Sequence, residues 1–252
     1  DTGQIFNKGS STYLRVDNQG TTDLDLECNL DRATTDTNVN VADALTTGTW
    51  SHVACAWDGT TLSVFVNGVL RGSSTTGSGA IAADTNNLLI GGGTSNNFDG
   101  KIDEFKVYNS ALNASQLALD ANAASTQVLG ATGNNSTAGA VNAASQEYCI
   151  PGDSSTCSPP QARWDFEEGT GTTLFDSSGN ANTATASGPT YGVGKLGKGL
   201  TFNGSTDYAT GPSTLEPATA ITVTAWIKVT GGAGTFRHIV SKPCCATWGN
   251  PF

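Results

Sequence analysis

The stretch TWSHVACAWDGTTLSVFVNG, residues 49–68, decides how the chain is read. WSHVACAWDG (50–59) is a run of strand length that closes on Asp58-Gly59, and TLSVFVNG (61–68) is a strand entering an Asn67-Gly68 turn. Asn-Gly and Asp-Gly tolerate the positive φ that tight hairpin turns need, so the two runs are expected to pair antiparallel. On the N-terminal side, DLDLECNL (23–30) alternates strictly: Leu24, Leu26, Cys28 and Leu30 point one way, the acids and Asn29 the other. Residues 1–108 as a whole read as short strands with turn signals about every 8–12 residues, the spacing of a sandwich or barrel.

On the C-terminal side the period changes. In NSALNASQLALDANAAS (109–125), Asn113 and Gln116 have the spacing of a capping box, and Leu112, Leu117 and Leu119 form a small apolar stripe. A short helix is expected near 110–124, packed on the sandwich rim. Residues 126–160 lose all periodicity and are rich in Ala, Gly, Ser, Thr and Asn, the composition of a flexible linker. Its distal end, CIPGDSSTCSPP (149–160), places Cys149 and Cys157 around a Pro-Gly turn, where a local bridge is sterically easy. From 161 the strand pattern restarts with WDF (164–166), KGLTFNG (198–204) and ITVTAWIKV (221–229). In the last of these, Ile221, Val223, Ala225, Ile227 and Val229 share a face.

Charged residues make up 13% of the 252, with 22 acidic against 12 basic side chains and a net charge of −10. A negative field repels phosphate backbones and anionic lipid, which argues against nucleic-acid and membrane-surface partners, and it attracts divalent cations. No apolar run reaches the roughly 18–20 residues that span a bilayer. The sequence has no Met and no signal peptide, as expected of a processed or partial product. Six cysteines, without a Cys-x-x-Cys pair and with only His52 and His238 to join them, favour disulfides in an oxidising compartment over zinc.

The order of these pieces resembles the laminin G-like domains of the concanavalin A-like lectin/glucanase superfamily. Residues 49–68 are similar to that family's central hairpin, and NNFDGKIDEFKVYNSALNASQL (96–117) to its closing strand and short helix. WDFEEGTGTTLFDSSGNANTAT (164–185), GKLGKGLTFNGSTDYAT (194–210) and ITVTAWIKV (221–229) are similar to its opening half. QIFNKG (4–9) and HIVSKP (238–243) look like one family strand seen twice. The resemblance implies an all-β, antiparallel jelly-roll sandwich. Residues 1–125 would be the closing portion of one module and 161–252 the opening portion of a second. Unpaired strand edges cannot be left open. The halves must therefore combine within one chain, pair between copies, or sit in a longer tandem array. The duplicated strand favours pairing between copies, giving an extracellular polymer.

The resemblance also implies a structural Ca²⁺ held by Asp176 and Asn180 of the DSSGN loop and by Asp103, oxygen donors that suit this ion. The same residues are ordinary turn and capping chemistry. Asp23, Asp25 and Glu27 resemble the acid strand of superfamily glycosidases. However, Asp23 and Glu27 are about 13 Å apart along the backbone, whereas a retaining pair needs carboxyls about 5–5.5 Å apart. A solvated strand face is the better reading, and His52 reads as structural. Cys28 and Cys55 have the parity of core-facing residues, compatible with a cross-strand disulfide or with buried thiols. Cys244 and Cys245 would form a vicinal ring or bridge to another chain. The expected function is a non-catalytic, extracellular structural or adhesive module that binds copies of itself, glycans or matrix components. The alternative is a carbohydrate-binding module of a larger secreted enzyme, with Tyr191, Tyr208 and Trp248 as candidate contacts.

Overall fold

The computed structural model describes residues 11–17, 23–32, 35–77, 81, 86–92, 96–122, 160–215, 219–231 and 237–243. The strands of the first portion are β1 (Ser11–Asp17), β2 (Asp23–Leu30), β3 (Thr37–Thr46), β4 (Trp50–Trp57), β5 (Leu62–Val66), β6 (Val69–Ser74), β7 (Leu89–Ile90) and β8 (Asp99–Tyr108). The helix α1 (Ala114–Asn122) follows. The later portion supplies β9 (Ala162–Trp164), β10 (Thr173–Leu174), β11 (Ala184–Ser187), β12 (Thr190–Val193), β13 (Lys198–Asn203), β14 (Tyr208–Thr210), β15 (Ile221–Val229) and β16 (Arg237–Pro243).

These strands form two antiparallel sheets. One has the order β10-β11-β14-β7-β16-β1-β2-β3; the other has β12-β13-β8-β15-β4-β5-β6, with β9 also paired to β8. The expected hairpins are present: β4 pairs with β5, and Asn67 and Gly68, both at positive φ, turn β5 into β6. The alternation in β2 sends Leu24, Leu26, Cys28 and Leu30 into the core. Between the sheets they meet Trp57, Val64, Ile102 and Phe105, and Trp164 and Phe202 of the later portion join the same core. Each fully buried Leu or Phe side chain contributes about 1.5–3 kcal/mol.

The two portions of the chain are not separate bodies. β15 lies between β8 and β4, with Val223 opposite Cys55 on one side and Val107 on the other. β16 lies between β7 and β1 in the other sheet. Of the three arrangements open to the sequence, the structure shows combination within one chain, a circularly permuted sandwich. The expectation of exchange between copies rested on the duplicated strand and not on halves unable to combine. Residues 4–8, on which the expected competition for one strand position turned, lie outside the described residues, as do 126–159 of the expected linker.

The helix also departs from expectation in where it packs. Asn113 and Gln116 do form the capping box, each side-chain oxygen 2.9 Å from the other's backbone N. Yet α1 lies on the outer face of the second sheet, not on the rim. Leu117, with Leu112 beside it, packs on Ala54, Ala56 and Phe65, which point away from the main core. The turn below is cut to fit, since a Cβ on Gly68 would lie 2.6 Å from the Cα of Ala118.

Cys28 and Cys55 are bonded, with Cα atoms 6.3 Å apart. The bridge runs from β2 in one sheet to β4 in the other, so it crosses the core instead of joining neighbours in one sheet. Cys149, Cys157, Cys244 and Cys245 lie outside the described residues. Closing a loop of 27 residues corresponds to about 3–4 kcal/mol of stabilisation by chain entropy. The Cys28→Ala, Cys55→Ala variant is expected to lose about that much in denaturant titration while keeping its strand content by circular dichroism.

Candidate functional site

The charged residues that sequence reading could not place converge on the outer face of the second sheet, where β8 is irregular. Between Asp103 and Lys106, β8 carries one residue more than β15 opposite it, and Glu104 adopts φ 50°. This β-bulge breaks the two-residue period. Ile102 and Phe105, three apart, join the core, while Asp103 and Glu104 take part in the polar contacts of the other side.

From the bulge a chain of buried charges runs beneath α1. Asp120 of the helix accepts from Lys106 Nζ at 2.6 Å and from Thr224 Oγ1 at 2.9 Å, and lies 3.1 Å from His52 Nε2. Burial alone would raise this carboxyl, but Lys106 and His52 outweigh it and hold Asp120 well below the usual carboxylate range. Lys106 also approaches Glu104 at 3.8 Å, and Glu104 receives Arg163 Nη2 at 3.1 Å. Arg163 Nε reaches on to Asp165 at 2.5 Å. Glu104 is raised by burial, against the pull of its two cations.

His52 thus has the acidic partner that spacing in the sequence did not reveal. The Thr224 hydroxyl donates to the same Asp120 oxygen that the imidazole approaches. The ring also packs edge-on to Trp226, with centroids 5.5 Å apart.

The three residues expected to hold Ca²⁺ have other work. Asp176 Oδ1 accepts the backbone N–H groups of Arg163 and Ser178, and its Oδ2 accepts Ser178 Oγ and the N–H of Asn182. A carboxylate has about four lone-pair directions, and all four are taken. Asn180 shares this loop and donates its side-chain amide to the carbonyls of Pro160 and Gln161. Asp103 is held by a different segment: its Oδ2 accepts the N–H groups of Lys195 and Leu196, and its Oδ1 that of Glu104. Gly194 permits this approach, since a Cβ there would lie 2.5 Å from Oδ2. Burial pushes Asp103 up to about 6, with those three N–H bonds pulling the other way. Among the described residues, no group of three or more His, Cys, Asp or Glu side chains could hold a metal ion. The three residues as arranged do not fit a shared Ca²⁺.

The acid strand is likewise committed internally. Glu27 receives Arg15 Nε at 2.6 Å, the Tyr13 hydroxyl at 3.1 Å and the Asn38 side-chain amide. Asp25 accepts the backbone N–H of Asp43 at 3.0 Å. The side chain of Asp23 lies outside the described residues. Of the aromatic candidates, Tyr191 stands on β12 of one sheet and Tyr208 on β14 of the other, so they share no platform. Trp248 lies outside the described residues. Sequence reading missed Phe175, which is 64% exposed. Its N–H donates to Glu168 Oε1, and the Tyr191 hydroxyl is 3.5 Å from Glu168 Oε2.

Comparison with known families agrees with this architecture. Residues 1–118 match the laminin G family model described as the concanavalin A-like lectin/glucanases superfamily. Over those residues the chain is similar to the laminin G-like domains of that superfamily. No curated protein and no solved structure matches the chain.

Two outcomes check the site. Removing one partner of a buried ion pair leaves the other charge stranded, so Asp120→Ala should destabilise the protein by about 3–5 kcal/mol in denaturant titration. With Asp176 fully engaged by protein donors, the melting temperature is expected to be the same in millimolar CaCl₂ and in excess EDTA; a rise with calcium would show that the loop opens to bind it.

Proposed function

We propose that the chain is a non-catalytic, extracellular structural or adhesive module whose sandwich is scaffold and whose edges and loops make contacts. The observation that carries this reading is the commitment of its carboxylates. Glu27, Asp103, Asp120 and Asp176 are each tied to protein donors, so none stands as a free acid or base. An extracellular setting is supported by the disulfide and by the laminin G-like match, both typical of exported proteins. No helix among the described residues is long and apolar enough to cross a membrane. Contact surface is available on β6 at the edge of the second sheet, where Val69 and Leu70 are exposed. An unpaired strand edge with apolar side chains suits pairing with a protein partner.

A second reading, glycan binding, draws on Phe175. Its exposed ring offers a stacking face for a saccharide, on a backbone whose N–H is held by Glu168, the carboxylate that the Tyr191 hydroxyl also approaches.

Incubation with β-glucans and related polysaccharides is expected to release no sugar; hydrolysis that disappears in Glu27→Gln would overturn the non-catalytic reading. A glycan array separates the two binding readings. Retention that is lost in Phe175→Ala supports the saccharide surface, and an array without retention supports protein contact.

A further inference from the structure

Lys106 of β8 and Asp120 of α1 meet in surroundings that a surface ion pair lacks. Their side chains are 11% and 12% exposed. Glu104, at 10%, stands 3.8 Å from the same amine, and His52, at 2%, stands 3.1 Å from the carboxylate. Keeping two opposite charges in so dry a place is costly, and their mutual attraction offsets that cost only in part. A neutral link between the same two groups carries no such penalty.

The two oxygens of Asp120 are held differently. Oδ2 accepts the Thr224 hydroxyl at 2.9 Å and lies 3.1 Å from His52 Nε2. His52 Nδ1 is buried without a hydrogen-bond partner, so the ring proton belongs on Nε2, where Asp120 accepts it. Oδ1 accepts from Lys106 Nζ at 2.6 Å. One oxygen thus sits between two donors, as a carbonyl oxygen gathering negative charge requires, while the other faces the amine. An amine hydrogen-bonded to a carboxyl oxygen stands about 3–3.5 Å from the carboxyl carbon, the separation of reacting atoms in a near-attack arrangement.

We propose that Lys106 and Asp120 condense into an amide, an Nζ–Cγ isopeptide bond that fastens α1 covalently to β8. The ammonium first passes a proton along its hydrogen bond to Oδ1, leaving a neutral amine beside a carboxylic acid. The Nζ lone pair then bonds to Cγ, and the displaced pair moves onto Oδ2, between Thr224 and His52. Glu104 takes the second proton from Nζ and delivers it to the Oδ1 hydroxyl. The Cγ–Oδ1 bond breaks, the carbonyl re-forms and one water leaves. No oxidant, cofactor or second substrate is consumed, and Glu104 ends as it began. Burial raises the Glu104 carboxyl, which suits it to take up and hand on a proton near neutral pH. Lys106 and His52 hold Asp120 ionised, so the first transfer is uphill and the bond forms as a single, slow event of maturation. It forms once in each chain and gives no turnover, so it stands apart from the question of what the module binds.

The test is the mass of the full chain, measured denatured and with disulfides reduced. The wild type should be lighter than its sequence by one water. Lys106→Arg, which keeps the cation without the lysine amine, should have its full sequence mass. Trypsin should leave the wild-type chain uncut after Lys106, and fragmentation should map the missing water to Lys106 and Asp120. Timed from synthesis in a cell-free system, Glu104→Gln should reach the wild-type strand content yet cross-link about 100-fold more slowly. If Glu104→Gln does not fold, Glu104→Asp, which keeps a carboxylate for Lys106 and Arg163, is timed in its place and should also lag. A folded wild type of full sequence mass overturns the proposal, as does a missing water that maps to any other pair. A Glu104 variant that cross-links as fast as the wild type overturns the part given to Glu104.

Discussion

The backbone ladder of β15 holds the second sheet together. Its N–H and C=O groups are shared between β8 on one side and β4 on the other, along nearly its whole length. Without it, the edges of β4 and β8 would face each other across an open slot, and a buried backbone group without a partner costs as much as a lost hydrogen bond. The side chains of β15 serve both layers. Val223, Ala225, Ile227 and Val229 enter the core between the sheets. Thr222 and Thr224 face outward and anchor the approach to α1 and the helix itself, through the Leu112 N–H, the Ser110 carbonyl and the Asp120 carboxylate. One strand thus sets the sheet, the core and the seat of the helix.

The bulge in β8 follows from the same packing. Ile102 and Phe105 both belong to the core, which a regular two-residue period does not allow. The extra residue at Glu104 resolves the conflict and releases Asp103 and Glu104 toward the outer face. There, charges brought from separate segments, β4, β8, β9 and α1, neutralise one another. Arg163, from the later portion, meets Glu104 from the earlier one, and the turn at 194–197 closes over Asp103. The cluster works as a polar joint between the two portions. The chemistry of acids and bases is present in it, and Glu104, Asp120 and Asp165 are each paired with a cation, while His52 Nδ1 is buried without a hydrogen-bond partner.

How much of this could be read from the sequence depended on the distance over which each signal acts. The β4–β5 pairing, the Asn67-Gly68 turn and the Asn113–Gln116 box are local, and all three were legible. The inward face of β2 was legible from strict alternation, and so was the inward parity of Cys28 and Cys55. The sheet each cysteine belongs to was not, because parity gives a face and not a partner. β4 held a further clue that alternation concealed: Ala54 and Ala56 are buried on the opposite face from Val53, Cys55 and Trp57. A run apolar on both faces signals a cover on each side, and that cover is α1. The His52–Asp120 contact depends on where the helix docks, which no spacing discloses. The hydrogen bonds that engage Asp176 and Asp103 were hidden for a related reason. Carboxylates in loops satisfy backbone N–H groups as readily as cations, and the residue types are the same.

The position of β15 has a further consequence during synthesis. β8 ends at Tyr108 and β15 at Val229, so about 120 residues must leave the ribosome between the two. At translation rates of roughly 5–20 residues per second, that interval is about 6–24 seconds. Throughout it, the flanks of β4 and β8 are exposed without the strand that separates them. Such unpaired edges invite premature pairing, with each other or with a neighbouring nascent chain. A shielding factor that holds these edges apart until Ile221 emerges would raise the yield of folded protein without changing its final stability.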